Sequence, residues 1–433
     1  MTAEVAILNK SAVALAADSL VTVQTVRSMP KTYIVNKLFT LSKYEPIGVM
    51  VYGNAQLLGV PWETIIKIFR QHLRDAAFDQ VSEYAHAFAS FLAANRELFP
   101  KEVQEFHFEQ AAIASLQSLR EEVDRQVNSY TAENGTISRQ QINDIANQIV
   151  YEQWRRLSDA QELKHLGGAF RERLMHAYRT RLMQLVPEIF ANFDLSRDSI
   201  QQLCEIPALL YSKDCFPLDG VSGIVVAGFG RREAFPVVTA ISVLGIVEDT
   251  LVFRDDEGAD MNANRPYSHT AAVLPFAQRD VVDAFLQGMD PHFYRLIHEY
   301  FRQLLDTWPP LLAEMFGHIN DERKRELQDR LSQAAEEALE DFHQRIQNHI
   351  QKQHVDPVLA VVEVLPKEEL AAMAEAFVNL TSIKRKMSLD VETVGGPIDV
   401  AVISKGEGFI WIRRKHYFDP KLNPQFFENY FRV

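Results

Sequence analysis

The stretch that most restricts how this chain can fold is its opening, TAEVAILNKSAVALAADS, residues 2–19. Two apolar runs flank Asn9-Lys10-Ser11, a turn-forming triplet in which asparagine tolerates unusual backbone angles. Both faces of the resulting hairpin are mostly apolar, so it has to be covered by layers on each side. A three-residue turn about Lys10 predicts a register in which the numbers of facing residues sum to twenty. Ile7 then faces Val13, Val5 faces Leu15 and Ala3 faces Ala17. On the other face Ala6 meets Ala14, Glu4 meets Ala16, and Thr2 meets Asp18. Directly opposed side chains have Cβ atoms about 5 Å apart.

Methionine before a small residue is readily trimmed in the cytosol. A mature chain beginning at Thr2 would carry a free α-amine beside its hydroxyl, a nucleophile and a base in one residue. A buried Asp18 needs a cationic partner, because an unpaired charge out of water is costly. The candidate is Lys37, a lone lysine in the apolar run NKLFTL, whose field beside Asp18 would lower the proton affinity of the Thr2 hydroxyl. Spacing alone leaves the alternative open, with Lys37 in solvent and Thr2 frayed.

Further strands are expected at 33–42, 47–56, 220–230, 235–245, in EDTLVFR, and in GGPIDVAVISKGEGFIWIRRKHYF. Helical spacing fills 62–210, with a break at TAENGTISRQQ (131–141), and 291–354; a final helix covers PKEELAAMAEAFVNLTSIKRK. In the second block Leu327, Leu331, Ala335, Leu339, Phe342, Ile346 and Ile350 mark the buried stripe of one long helix, and Trp154 and Trp308 read as core. The simplest organisation is an α+β body, 1–104, 217–290 and 356–433, interrupted by helical insertions at 105–216 and 291–355. A formal charge of −13 argues against a general nucleic-acid footprint, and no run of eighteen apolar residues suggests a membrane span. Cys204 and Cys215 lack metal-site spacing, no export signal is read at the start, and a cytoplasmic protein is expected.

At TAEVAILNKSAVALAADS, KLFTL followed by IGVMVYGNAQ, and GGPIDVAVISKGEG, the chain resembles proteasome β-type subunits and their bacterial relatives among the N-terminal nucleophile hydrolases. The resemblance covers about half the chain and leaves out both helical blocks. It implies a four-layer αββα sandwich carrying two large helical insertions, with hydrolysis of peptide or related amide bonds through an acyl-enzyme. Thr2 then matches the nucleophile, its freed amine the general base, and Asp18 and Lys37 the pair that orients and activates it. Gly53 matches the glycine whose N–H stabilises the oxyanion. Ser19, Asp390, Glu392 and Thr393 stand where supporting residues are expected. The implied partners are a peptide or protein substrate, further copies of the chain in a homo-oligomer, and an ATPase; neither nucleic acid nor a membrane is expected.

The chain departs from that pattern where active members place a serine in a turn before a helix. The corresponding stretch, TAAVLPFAQRDVVDAFL, offers Ala272, Val273 and Leu274. The departure keeps a second reading open, an inactive scaffold whose inserted helices bind partners. No cofactor and no metal is expected: His343, His349 and His354 do not share one helical face, and GIVVAGFGRRE lacks the order of a phosphate loop. Ser268 and His269 are mere sequence neighbours, and the acidic RDDEGAD reads as a solvated loop.

Overall fold

The computed structural model describes residues 2–23, 31–217, 220–265, 270–315, 321–388 and 394–431. The opening segment forms strands β1 (Ala3–Leu8), β2 (Val13–Ala17), β3 (Leu20–Val23), β4 (Lys31–Ile34), β5 (Leu38–Thr40), β6 (Ile47–Gly53), β7 (Gln56–Leu57) and β8 (Val60–Pro61). Helices follow: α1 (Trp62–Leu73), α2 (Val81–Ala94), α3 (Lys101–Asn134), α4 (Arg139–Asp159), α5 (Phe170–Ile189) and α6 (Arg197–Ser212). Strands return as β9 (Ser222–Gly228), β10 (Val237–Val247), β11 (Thr250–Asp255), β12 (Met261–Asn262) and β13 (Ala272–Ala277). The remainder is α7 (Asp280–Gln287), α8 (Pro291–Met315), α9 (Asp321–Ile350), α10 (Asp356–Val364), α11 (Lys367–Lys386), β14 (Asp399–Ser404), β15 (Gly408–Arg413) and α12 (Pro424–Phe431).

Among the described residues the strands build two main antiparallel sheets, ordered β13-β1-β2-β14-β15 and β11-β10-β9-β6-β5. Their facing sides share one apolar layer, in which Ala6, Leu8 and Leu15 of the first sheet meet Met50, Val225 and Val238 of the second. The other side of the first sheet, with Val5, Ile7 and Ala14, packs on Leu370, Ala374 and Phe377 of α11. The other side of the second, with Val49, Val226 and Ile241, packs on Phe69 of α1 and on Tyr84 and Phe88 of α2. The hairpin is therefore apolar on both faces because each meets an apolar layer, and fully burying one leucine there is worth about 1.5–3 kcal/mol.

Helices α3–α6 have their own core, which includes Phe108, Leu116, Val150 and Leu174 and continues into Val247 and Val252 beside the β10–β11 turn. The break between α3 and α4 has a local cause. Gly135, at φ 79°, ends α3, and Ser138 and Gln141 form a reciprocal capping box that starts α4. In the second block α8 covers the α9 stripe, with Phe301 stacked on Phe342 at 4.8 Å. That stripe is only half-buried until Ile350, which is buried. Trp154 is half-buried with its Nε1 bonded to Glu205, whereas Trp308 is exposed on α8, as are Phe293, Leu296 and Tyr300. The expectation of a core Trp308 is thus corrected.

Two expectations about the opening strands also change. The β1–β2 pairs sum to twenty-one: Leu8 faces Val13, Ile7 faces Ala14 and Glu4 faces Ala17. The cause is Asn9. Its N–H donates to the Ala12 carbonyl, and its Oδ1 accepts from the N–H and hydroxyl of Ser11, which lengthens the turn by one residue. Ala3 rather than Thr2 therefore lies across from Asp18, whose N–H donates to the Ala3 carbonyl. The expected strand 33–42 is divided, because the Val35 N–H turns to the Ser19 carbonyl and leaves residues 35–37 between β4 and β5.

Asn9 also donates from Nδ2 to the carbonyls of Val362 and Leu365, at 2.9 Å each, and so ties the hairpin to α10. Asn9→Ala should lower stability by about 1–3 kcal/mol, because those carbonyls and the turn lose their partner. A urea midpoint matching that of the unaltered chain would show that the turn does not depend on this side chain.

Candidate active site

Asp18 lies just past the end of β2, where its carboxylate gathers four donors. Oδ1 accepts from the Ala3 N–H at 3.1 Å and from Lys37 Nζ at 2.6 Å. Oδ2 accepts from the N–H groups of Gly395 at 3.0 Å and Leu20 at 3.3 Å. Lys37 also donates to the Leu20 carbonyl at 2.7 Å. Both side chains of this ion pair are buried. The lysine reaches it because β5 begins only at Leu38, while the Lys37 carbonyl still accepts from the Val51 N–H and fixes the backbone.

The Gly395-Gly396 turn closes over this pair. The Gly395 carbonyl accepts from the N–H groups of Ser19 and Leu20, and Gly396, at φ 76°, approaches the Ser19 Cβ. Ser19 is buried and donates its hydroxyl to the Pro397 carbonyl, so in this arrangement it secures the turn. Asp390, Glu392 and Thr393 lie outside the described residues, as do Ser268 and His269.

Gly53 ends β6 at φ 81°, and a Cβ there would lie 2.2 Å from the Val221 carbonyl oxygen. Only glycine fits. Along β6, residues 47 and 51 bond to the β5 side. By the alternation of an antiparallel ladder the Gly53 N–H faces that same side, beyond the start of β5. Thr2, Lys37, Gly53, Asn54 and Trp62 all border one cleft of about 90 Å³. Trp62 Nε1 donates to Ser222 Oγ at 3.0 Å, which fixes one wall. Buried Thr2 is held at its carbonyl by the Gln278 N–H at 3.1 Å.

That contact corrects the expected position of the turn before a helix. Ala272, Val273 and Leu274 lie inside β13, opposite Leu8, Ile7 and Ala6. The turn that touches Thr2 is Ala277-Gln278-Arg279, ahead of α7, with Ala277 at φ 60°. It contains no serine.

Three titratable groups close to this pair are given no functional role by the sequence. Asp399, paired with Ala17 across β14–β2, accepts from both the N–H and the Nζ of Lys415 to form a second buried ion pair. Burial pushes the Lys415 ammonium below the usual lysine range, against the raising effect of Asp399. The third is Glu4, whose two carboxyl oxygens are buried without a hydrogen-bond partner among the described residues. Its carboxyl is held well above the usual range, chiefly by burial; Lys37 opposes the shift and Asp18 adds to it. A lone carboxylate inside an apolar strand was the visible signal for Glu4. The Asp399–Lys415 pair had none, because the two stand sixteen residues apart with β15 between them.

A larger cavity of about 640 Å³ lies between α3 and α5, lined by Lys101, Glu105, Arg173 and Glu248 among others. It contains none of the residues grouped above, and its Arg181 and Tyr178 are already bonded to Glu109 and Glu248. Among the described residues no cluster of three or more histidine, cysteine or carboxylate side chains is arranged to hold a metal ion. No protein-family model matches the chain, and no curated protein matches it.

Lys37→Met should cost about 3–5 kcal/mol of stability, since it leaves the buried Asp18 carboxylate without its counter-charge. Chemical denaturation measures this directly. A loss below about 1 kcal/mol would show that the three backbone N–H donors are enough for Asp18.

Proposed function

We propose that this chain is an N-terminal threonine hydrolase of the proteasome β type, built on a four-layer αββα sandwich and cleaving peptide or related amide bonds. The observation that carries this reading is that Thr2, Lys37 and Gly53 border one cleft while Asp18 holds Lys37 at 2.6 Å. After removal of Met1, the Thr2 α-amine, with an ordinary pKa of about 7.7–8.0, takes the hydroxyl proton as Oγ attacks the substrate carbonyl. The Lys37 charge favours the alkoxide-like oxygen, and the Gly53 N–H is aimed to donate to the tetrahedral oxyanion. Collapse transfers the proton to the leaving amine and leaves an ester on Thr2. Water activated by the same amine then hydrolyses that ester and restores the hydroxyl.

The cleft also supports a choice of substrate. Val21, Val35, Val51 and Ala55 border it, which suits a small apolar side chain beside the scissile bond. Cys204 and Cys215 are free, which fits a reducing cytoplasm, and among the described residues no helix is long and apolar enough to cross a membrane. A homo-oligomer is the assembly we favour, with the exposed apolar residues of α8 among the surfaces available to it.

One observation favours the competing reading of an inactive scaffold: the turn against Thr2, Ala277-Gln278-Arg279, holds no serine, whereas the resembled family places one in a turn before a helix. Intact-mass measurement and a Thr2→Ala variant separate the two. For a hydrolase, the purified chain starts at Thr2, and Thr2→Ala loses turnover of small peptide amides by at least about 10³-fold while keeping its thermal midpoint. Retained Met1, or equal turnover by both proteins, would leave the scaffold.

A further inference from the structure

We propose that Glu4 is a positioning residue for Thr2, whose proton sets the net charge that the buried Asp18–Lys37 pair presents to the nucleophile. The inference rests on the reading of Thr2 as a nucleophile. Glu4 occupies β1 two residues beyond Thr2, facing Ala17 on one side and Phe276 on the other. Strand alternation puts it on the same face as Thr2, Ala6 and Leu8, the face turned to the second sheet. Its carboxyl group is fully enclosed, and neither oxygen has a hydrogen-bond partner among the described residues.

An ionised carboxylate with no donor is costly in such a place, so enclosure shifts Glu4 toward its protonated form. The charged and titratable groups around it are Lys37 ahead of β5, Asp18 after β2, and Tyr52 on β6. The Tyr52 ring lies tilted against Phe276 at 5.7 Å, and its hydroxyl is pushed up to about 12 chiefly by burial, then by Asp256 and Glu4, with Arg279 opposing. Neutral Glu4 leaves the Asp18–Lys37 pair balanced, with the ammonium free to favour negative charge on Thr2 Oγ. Loss of the Glu4 proton turns that balance to one net negative charge.

The consequence for chemistry follows from distance. Alternate residues on one strand face are separated by roughly 7 Å. A unit charge at that range, at an effective dielectric constant of about 20, alters a charge-developing step by at least about tenfold. Ionised Glu4 opposes the alkoxide and raises the proton affinity of the α-amine, so both roles of Thr2 fail together. The energetic cost of an unpaired buried acid is thus tied to a chemical effect, whereas a leucine of similar size would fill the same space without one.

Two measurements test this, one of which needs no turnover. The folded chain holds the Glu4 proton after the unfolded chain has released it, so its stability falls with pH above the ordinary glutamate range of about 4.3. The thermal midpoint of Glu4→Gln minus that of the unaltered chain should therefore rise from pH 4.5 to pH 8. A flat difference would overturn the buried acid. Acylation of the Thr2 α-amine by an amine-reactive ester, followed by intact mass, and turnover of a small peptide amide are then compared from pH 6 to pH 10. Where wild-type Glu4 loses its proton, the wild-type amine should titrate at higher pH than that of Glu4→Gln, and the Glu4→Gln to wild-type ratio should pass through a maximum of at least about tenfold in both. Coincident amine titrations overturn the role of Glu4 even when both proteins hydrolyse the amide. Divergent amine titrations without hydrolysis by either protein uphold the effect on Thr2 and refute the hydrolase reading instead.

Discussion

The Asp18–Lys37 ion pair is the point on which several otherwise separate parts of this fold converge. One carboxylate accepts from the start of β1, from its own strand exit at Leu20, from the Gly395 turn and from the lysine ahead of β5. Those partners lie as far apart in the chain as Ala3 and Gly395. Several backbone N–H donors offset part of the desolvation cost of a buried carboxylate. Lys37 then links that centre to the second sheet through the Val51–Lys37 backbone bond. Closing the two sheets over their shared apolar layer and burying this charge pair are consequently one event.

How much of this could be read from residues alone depended on range. The hairpin, its double-sided burial and the association of Asp18 with Lys37 follow from an apolar pattern and from the need of a buried carboxylate for a cation. The register did not follow, because the turn length was set by the Asn9 side chain and not by the triplet's composition. A shift of one residue moves Thr2 away from Asp18 and puts Ala3 opposite it, yet the site survives. The Asp18 side chain reaches the Ala3 N–H and Lys37 from beyond the strand end, where pleat alternation no longer dictates its direction. The break at residues 35–37 was likewise hidden, since the pull of the Ser19 carbonyl on Val35 is a tertiary effect. Within the helical blocks the α9 stripe was legible as an apolar face. Its partner α8 was not, because α8 is apolar around much of its circumference and leaves Trp308 and Tyr300 in solvent.

Charge placement supplies the last step. Two buried ion pairs and one buried acid lie around the mouth of the hairpin, and none is an economical way to stabilise a fold. A buried pair commonly does no better than apolar residues of equal volume, while breaking it is expensive. By stability alone apolar side chains would serve at Asp18, Lys37, Asp399 and Lys415, as apolar residues do at the neighbouring buried positions Leu15, Ala17 and Leu38. The charges are instead confined to strand ends and to the face that carries Thr2, and the middle of both sheets is apolar. The cluster thus lies beside Thr2 and away from the apolar middle of the sheets. Its arithmetic also has a direction. Asp18 with Lys37 and Asp399 with Lys415 each sum to zero, so the proton on Glu4 decides whether the ground beneath Thr2 is neutral or negative.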